Sequence, residues 1–288
     1  MIKAVRWFAA FIARWMPAGL RTAFYKIPGL AHLIRNVLNR AAPSGITKVQ
    51  IAAGYLKDSW MFLDLHKEKD YWLGTYEINL SEAIAHFIQP GMVVYDVGAN
   101  IGYISLVLSR CALPNGHVFA FEALPENIER LQQNIRVNQL DERVTVISAA
   151  VAASSEPVCF LVHNSTSMGK MAGSAGRNDQ VYRGEITVPG IALDDFVFQK
   201  VNPPPDVIKM DIEGGEVMAI DGMVQVLKCY HPLMLIELHG HEAAKKVGST
   251  LLELGYHLHR MQKGYPKVET LEDLDWKSYM IGMWDSNK

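Results

Sequence analysis

Three cysteines in 288 residues are too few and too scattered to frame a disulfide-stapled domain or a structural zinc site. Cys111 and Cys159 lie in apolar segments, and the set reads as reduced core thiols in a cytoplasmic, reducing compartment. Charges interrupt every apolar run well short of the roughly 20 residues that a membrane-spanning helix needs. No Gly-Lys-Ser/Thr follows a glycine loop, so the chain has no P-loop. Acidic residues are missing from residues 1–40, which carry Lys3, Arg6, Arg14, Arg21, Lys26, Arg35 and Arg40; with a net charge of −2 overall, the rest stands at −9. That acidic remainder shows no basic–aromatic patch, so nucleic acid is not an expected partner. There is no internal repeat, and a hydrophobic content of 49% excludes a disordered chain.

What is present centres on Val93–Gly102 (VVYDVGANIG). The β-branched and aromatic residues predict a short buried strand, Asp96 stands at its C-terminal end, and Gly98 and Gly102 flank a tight turn. Tyr103 to Cys111 has the apolar repeat of a helix. A strand, a glycine turn and a helix N-terminus form a nucleotide-type site, at the strand ends where open α/β sheets bind ligands. A dinucleotide fingerprint needs G-x-G-x-x-G, but Asn100 occupies the second glycine position and no third follows. A carboxylate beside the turn suits a ligand with an ammonium group, as on the methionine end of S-adenosylmethionine (SAM). A plain βα turn is the bland alternative.

The segment 117–122 (HVFAFE) predicts a second strand, ending in Glu122, 24 residues after Gly98. An acid about 20 residues on accepts ribose hydroxyls in such sites; a helix-entry carboxylate is the alternative. Pro125 opens the next helix. A third strand at 144–147 exits through Ser148 to Val151, where Ala149 could border an adenine. The segments 206–211 (DVIKMD) and 233–238 (LMLIEL) predict the fourth and fifth strands, and 279–284 a last, antiparallel one. Alternating strands and helices at this spacing mean a doubly wound α/β sandwich.

These motifs together — DVGANIGYISL, FEALPENIERLQQNI, VIKMDIEGGE and LMLIELHG — resemble the FkbM-type SAM-dependent methyltransferases, over about residues 70 to 285. The resemblance implies a seven-stranded, Rossmann-like class I methyltransferase sheet, SAM as donor and a hydroxyl as the usual acceptor. Gly74-Thr75-Tyr76-Glu77 is similar to the family's G-x-x-E element, which makes Glu77 a further cofactor contact and lets it close over the site with Tyr76. With it, the cofactor set is Glu77, Asp96, Gly98, Asn100, Gly102, Glu122, Ala149 and Asp211.

Methyl transfer needs in-line geometry and removal of the acceptor's proton. Candidate groups cluster after strands four and five: Asp211, Glu213 and Glu216, then Glu237, His239 and His241. His239 is the preferred general base, because an imidazole titrates near neutrality, and Glu213 is the alternative. Asp211, ending an apolar strand, is expected in the site with Lys209 as its partner. Its place matches the magnesium-binding aspartate of related catechol-type O-methyltransferases, although the following residues differ. Magnesium at Asp211 is therefore an expectation to test. Glu216 also fits a helix-start carboxylate.

Domain boundaries fall at Ala42–Gly45: residues 1–42 form a basic amphipathic helical appendage, and 43–288 the methyltransferase domain. Ala4, Phe8, Phe11, Ile12 and Trp15 share one helical face, and Lys3, Arg6 and Arg14 the other, the composition of an interfacial membrane helix. Packing on the domain or on a second copy of the chain is the competing use; a transit peptide or secretory signal fits less well. The rest of the expectation is a hairpin within Thr47–Leu65, a helix capped by Ser81, and a polar loop from Asn164 to Arg183 that acts as a lid or binding loop. Function follows as O-methylation of a sugar, glycolipid or lipid-linked hydroxyl, with the enzyme cytoplasmic and peripheral on the inner membrane face. The alternatives are a soluble small-molecule acceptor, a non-catalytic SAM-binding adaptor and, least favoured, an NAD-dependent oxidoreductase.

Overall fold

A computed structural model describes residues 44–163, 169–175 and 182–285. The amphipathic reading of residues 1–42 lies outside the described residues. The chain divides into two compact units, one comprising residues up to Ile78 with Arg136–Asn138, the other Asn79–Ile135 with Gln139–Lys288. Among the described residues no helix is long and apolar enough to cross a membrane.

In the smaller unit, β1 (Ile46–Gln50) and β2 (Trp60–Asp64) pair antiparallel, as the hairpin reading anticipates. The helix α1 (Lys69–Leu73) follows, ended by Gly74 in the left-handed conformation. Tyr76 packs edge-on against Tyr71, with ring centroids 4.3 Å apart, and Glu77 takes a left-handed backbone at φ 45°. Helix α2 (Ile78–Phe87), which belongs to the larger unit from Asn79 onward, starts three residues before Ser81. Ser81 is therefore inside the first turn with its hydroxyl buried, and it is not the cap.

The larger unit is built on a seven-stranded sheet in the order β13-β14-β12-β11-β3-β4-β5. Five strands are parallel: β3 (Val93–Val97), β4 (His117–Glu122), β5 (Val144–Ser148), β11 (Val207–Met210) and β12 (Leu233–His239). The last two, β13 (Tyr256–Arg260) and β14 (Lys277–Trp284), close the edge antiparallel. The parallel strands are apolar because both faces are covered. Helices α3 (Tyr103–Ala112), α4 (Pro125–Val137), α5 (Glu216–Ala219), α6 (Val224–Tyr230) and α7 (His241–Glu253) complete the winding. One core face is aromatic: Tyr95, Phe119 and Phe121 pack with Phe196 from a π-helical turn, at centroid separations of 5.2 to 5.6 Å.

Between β5 and β11 the chain inserts a small sheet: two of its strands match those read at 157–163 and 185–189, and its third falls in the stretch read as a loop from Asn164 to Arg183. Strands β7 (Val158–His163), β8 (Gly169–Met171) and β9 (Tyr182–Val188) pair antiparallel in the order β8-β7-β9. A short parallel pair, β6 (Ala150–Val151) with β10 (Gly190–Ile191), ties its base. Alternation along β7 turns Val158 and Phe160 toward a small core with Ala123 and Met171, and turns Cys159 outward. Cys229 is exposed too and Cys111 half-buried, so the cysteines are free but are not core thiols.

Candidate active site

The glycine turn sits between three adjacent strand ends. Gly98 and Ala99 both donate their N–H to the carbonyl of Phe121 on β4, at 3.0 and 2.9 Å. Gly98 lies at φ 80°, and a Cβ there would stand 1.9 Å from the carbonyl oxygen of Asp211. Only glycine lets the exits of β3 and β11 close on each other this tightly. Asn100 also takes a left-handed backbone, φ 51°, and its N–H donates to Glu122 Oε2 at 2.8 Å. Gly102, at φ 92°, opens α3 against Leu131.

Two buried charges hold this turn. Lys209 pairs in register with Asp96 across β11 and β3, and its Nζ lies 3.0 Å from Asp96 Oδ1. The same ammonium donates to the carbonyl of Gly98 at 3.0 Å. Ser105 Oγ donates to Asp96 Oδ2 at 2.6 Å. Lys209 is thus the partner of Asp96, not of Asp211 as the sequence suggested, because residues opposed across a parallel pair meet before neighbours along one strand do. Burial alone would lower the Lys209 ammonium, but the carboxylates of Asp96 and Asp211 outweigh it and hold its pKa above the ordinary value. Asp96 has no solvent exposure, so its carboxylate underpins the turn from below.

Glu122 clamps from the other side. Besides Asn100, it accepts the N–H groups of Ala123 at 3.0 Å and Leu124 at 2.8 Å through Oε1. Burial raises its pKa, and these backbone donors partly offset the rise. Glu122 fixes the entry to α4, the helix-entry alternative, and the side chain of Asn127 joins the three backbone donors on its carboxylate. Ala149 is buried at the exit of β5.

Next to the turn, the ends of β11 and β12 form a cup of four carboxylates around His239. Its Nδ1 lies 3.1 Å from Glu216 Oε1, and its Nε2 lies 2.9 Å from Glu237 Oε1, 3.6 Å from Glu213 Oε2 and 3.9 Å from Asp211 Oδ1. Glu216 also accepts the N–H groups of Ile212 and Gly214, and so holds the turn that carries Glu213 at φ 53°. Lys277, opposite His239 in the β12–β14 register, ion-pairs with Glu237. Asp211, Glu213, Glu237 and His239 therefore converge as expected, and the structure adds Lys277, which strand register brings in and no local sequence signal marks. Glu77 belongs to the smaller unit.

The cup inverts one expectation. Burial would lower the His239 pKa, yet hydrogen bonds to Glu216 and Glu237 and the charge of Asp211 drive it to about 11. An imidazolium has no lone pair to accept a proton, so this arrangement favours a carboxylate of the cup over His239 as the base. Asp211 moves the other way for a carboxylate: desolvation and the Glu237 charge raise it to about 7, against the lowering effect of Lys209 and His239. Burial likewise acts upward on Glu237, but His239 and Lys277 outweigh it and lower its pKa.

Comparisons with known proteins find methyltransferases. A family model described as the methyltransferase FkbM domain matches residues 96–258. A hexuronic acid methyltransferase, AglP, of Haloferax volcanii is 27% identical over 198 residues, 69% of this chain and 73% of that protein. A solved FkbM methyltransferase from Methylobacillus flagellatus is 17% identical with a TM-score of 0.46, over 76% of this chain; the match spans about half, 53%, of that longer protein. Aeropyrum pernix fibrillarin, solved with bound SAM, is 13% identical with a TM-score of 0.42, over 71% of this chain and 76% of its own.

Proposed function

The chain belongs to the FkbM methyltransferase family, and from that premise we propose that it transfers the methyl group of SAM to a hydroxyl of a glycosyl or glycolipid acceptor. The observation that carries this reading is the meeting of the clamped Gly98–Gly102 turn and the carboxylate cup at the C-terminal ends of neighbouring strands. The hexuronic acid methyltransferase named among the relatives supports a sugar-type acceptor.

In this reading the turn takes the methionine end of SAM, Glu122 exchanges the Asn127 side chain for a ribose hydroxyl, and Ala149 borders the adenine. The acceptor oxygen forms a bond to the methyl carbon as the carbon–sulfur bond breaks, and the electron pair stays on sulfur. The hydroxyl proton passes to the Asp211 carboxylate, whose pKa of about 7 matches the task at neutral pH. His239 and Lys277 hold Glu216 and Glu237 in place beside it. Calorimetric titration with S-adenosylhomocysteine (SAH), followed by transfer of labelled methyl from SAM to a glycoside panel, tests the proposal. An absence of SAH binding would remove it.

One observation favours a second element. Donor atoms of Asp211, Glu237 and His239 all lie within 4.8 Å of one another, and Nδ1 of His239 is held by Glu216. A carboxylate behind the far nitrogen is how proteins orient a metal-ligating histidine; a divalent cation such as magnesium would displace the His239 proton and take Asp211 as a ligand, an alternative to the role of Asp211 as base. Bound there, it would lower the pKa of the acceptor hydroxyl. Manganese binding followed by electron paramagnetic resonance, with Glu237→Gln as control, tests this directly.

The proposal of a membrane-borne acceptor rests on the sequence of residues 1–40 alone. Liposome co-sedimentation of the full chain and of a form lacking those residues decides it; equal sedimentation of both would end the idea.

A further inference from the structure

The chain entering β14 opens on the same edge of the sheet as the cup. Because β14 runs antiparallel to β12, its first residues stand beside the exit of β12, at the edge where an open α/β sheet takes its ligands. Trp276 lies there, one residue before β14. Its carbonyl accepts the N–H of Gly240 at 2.6 Å, which carries the strand pairing one step past His239. Ser278 Oγ donates to the carbonyl of Asp275 at 2.9 Å and closes the turn around it. The indole centroid stands 6.3 Å from that of the His239 imidazole, with the two planes at 77°. In an edge-to-face contact the imidazole covers at most one face of the indole. Trp276 is half-buried, so the indole presents part of its surface beside the cup. The carboxylates of the cup differ in the same respect: the side chains of Asp211 and Glu213 are 23% and 33% exposed, those of Glu216 and Glu237 only 0% and 5%. His239 Nε2 lies 3.9 Å from Asp211 Oδ1 and 3.6 Å from Glu213 Oε2, so the indole and the two accessible carboxylates flank one buried side chain.

We propose that Trp276 is the platform on which the acceptor ring rests, and that the site selects a pyranosyl ring, which carries a C–H face and a set of hydroxyls together. The inference rests on the methyltransferase reading above and adds the residue that binds the acceptor and the shape it selects. An indole offers a large, flat, electron-rich face, which attracts the weakly positive C–H groups of a sugar ring. Ionised carboxylates accept hydrogen bonds and donate none, so Asp211 and Glu213 suit the hydroxyls at the ring's edge. An acyclic polyol has the hydroxyls but no fixed apolar face, and it loses more conformational freedom on binding. A phenol covers the indole but brings few hydroxyls to the carboxylates. The bond to Gly240 and the turn at 275–278 hold the platform before the acceptor arrives, which lowers the cost of ordering it.

The test uses full-length protein loaded with SAH and compares wild type with Trp276→Leu, which keeps apolar bulk without a π face, and with Trp276→Phe, which restores one. Saturation-transfer nuclear magnetic resonance is recorded with methyl hexopyranosides as probes, and with a hexitol and catechol as controls. The expected result is binding of the hexopyranosides to wild type, at least about tenfold weaker binding to Trp276→Leu and recovery to within about threefold in Trp276→Phe. SAH affinity in calorimetry should be the same in all three. With a glycoside that is methylated, Trp276→Leu should raise KM and leave in place both kcat and the rise of kcat/KM near pH 7 set by Asp211. Hexopyranosides that fail to bind wild type, bind Trp276→Leu equally well or bind more weakly than catechol overturn the proposal. An equal loss of hexitol binding in Trp276→Leu overturns it too, as does a displaced pH profile or loss of SAH binding in both variants, because the indole would then shape the cup and not carry the ring. Failure of wild type to bind SAH strikes the methyltransferase reading instead.

Discussion

The glycine turn and the carboxylate cup are neighbours built from the same residue types, but their charges are balanced differently. Under the turn, Asp96 meets Lys209 and Ser105, and Glu122 meets three backbone N–H groups, so each buried charge has partners. In the cup, Asp211, Glu213, Glu216 and Glu237 share one imidazole and Lys277. Saturated charge fixes backbone geometry and has little left to give. Excess charge of one sign holds protonation equilibria near the working pH and leaves the group able to act. The contrast predicts that substitutions under the turn destabilise the fold, while neutralising the cup stabilises it and removes activity.

The largest expected loss is from Lys209→Met, which leaves Asp96 buried without its counter-ion. Breaking a buried pair on one side costs about 3–5 kcal/mol, to be read from urea unfolding. A loss under 1 kcal/mol would mean that the turn does not depend on this pair. Gly98→Ala comes next. Its methyl group would meet the Asp211 carbonyl, so unfolding stability should fall by about 2–3 kcal/mol and SAH affinity with it. If calorimetry finds SAH affinity intact, the turn is structural only and the cofactor binds elsewhere.

The turn was legible in the sequence because its chemistry is local: an apolar strand, a carboxylate and two glycines at fixed spacing. The parallel strands were legible for the same reason, as continuous apolar runs. What stayed hidden is set by register. Nothing along the chain says that Lys209 faces Asp96 across a strand pair, or that Lys277 faces His239. The edge strand β13 (YHLHR) mixes polar with apolar residues and gives no buried-strand signal. The short β8 is drawn from a Gly- and Ser-rich stretch and becomes a strand only because β7 offers a partner. His239 misled for a related reason, since an imidazole's ordinary pKa says nothing about four carboxylates that converge from two strand ends.

Asp211→Asn separates the two regions most sharply. The folded pKa of Asp211 is about 7, above the unfolded value of 3.8, so the native state holds the proton more tightly and stability falls as pH rises between those values. Removing the charge should therefore stabilise the protein above pH 7 and change nothing near pH 4. With a side chain 23% exposed and partly hydrated, the gain is about 1–2 kcal/mol, visible as a higher Tm at pH 8. Methyl transfer should fall by about 100-fold or more, and the wild-type rise of kcat/KM through pH 7 should vanish. His239 contributes in the same direction: its folded pKa of about 11 lies above the unfolded 6.5, so its stabilisation is full below 6.5 and is lost toward pH 11. A destabilised Asp211→Asn protein at pH 8 would show that the cup is balanced after all.

The smallest expected effect closes the comparison from outside both regions. Arg183 and Glu126 pair at 3.0 Å, the same separation as Lys209 and Asp96, but their side chains are 44% and 59% exposed. At that exposure water screens the attraction and ordering two long side chains offsets most of the gain, so Arg183→Ala should change unfolding stability by about 0.5 kcal/mol or less. Equal distances with unequal consequences would establish that burial, rather than the pairing itself, gives the charges under the turn their weight. A loss of about 2 kcal/mol or more in Arg183→Ala would instead tie the inserted sheet to α4 through this pair and give an exposed charge pair the weight of a buried one.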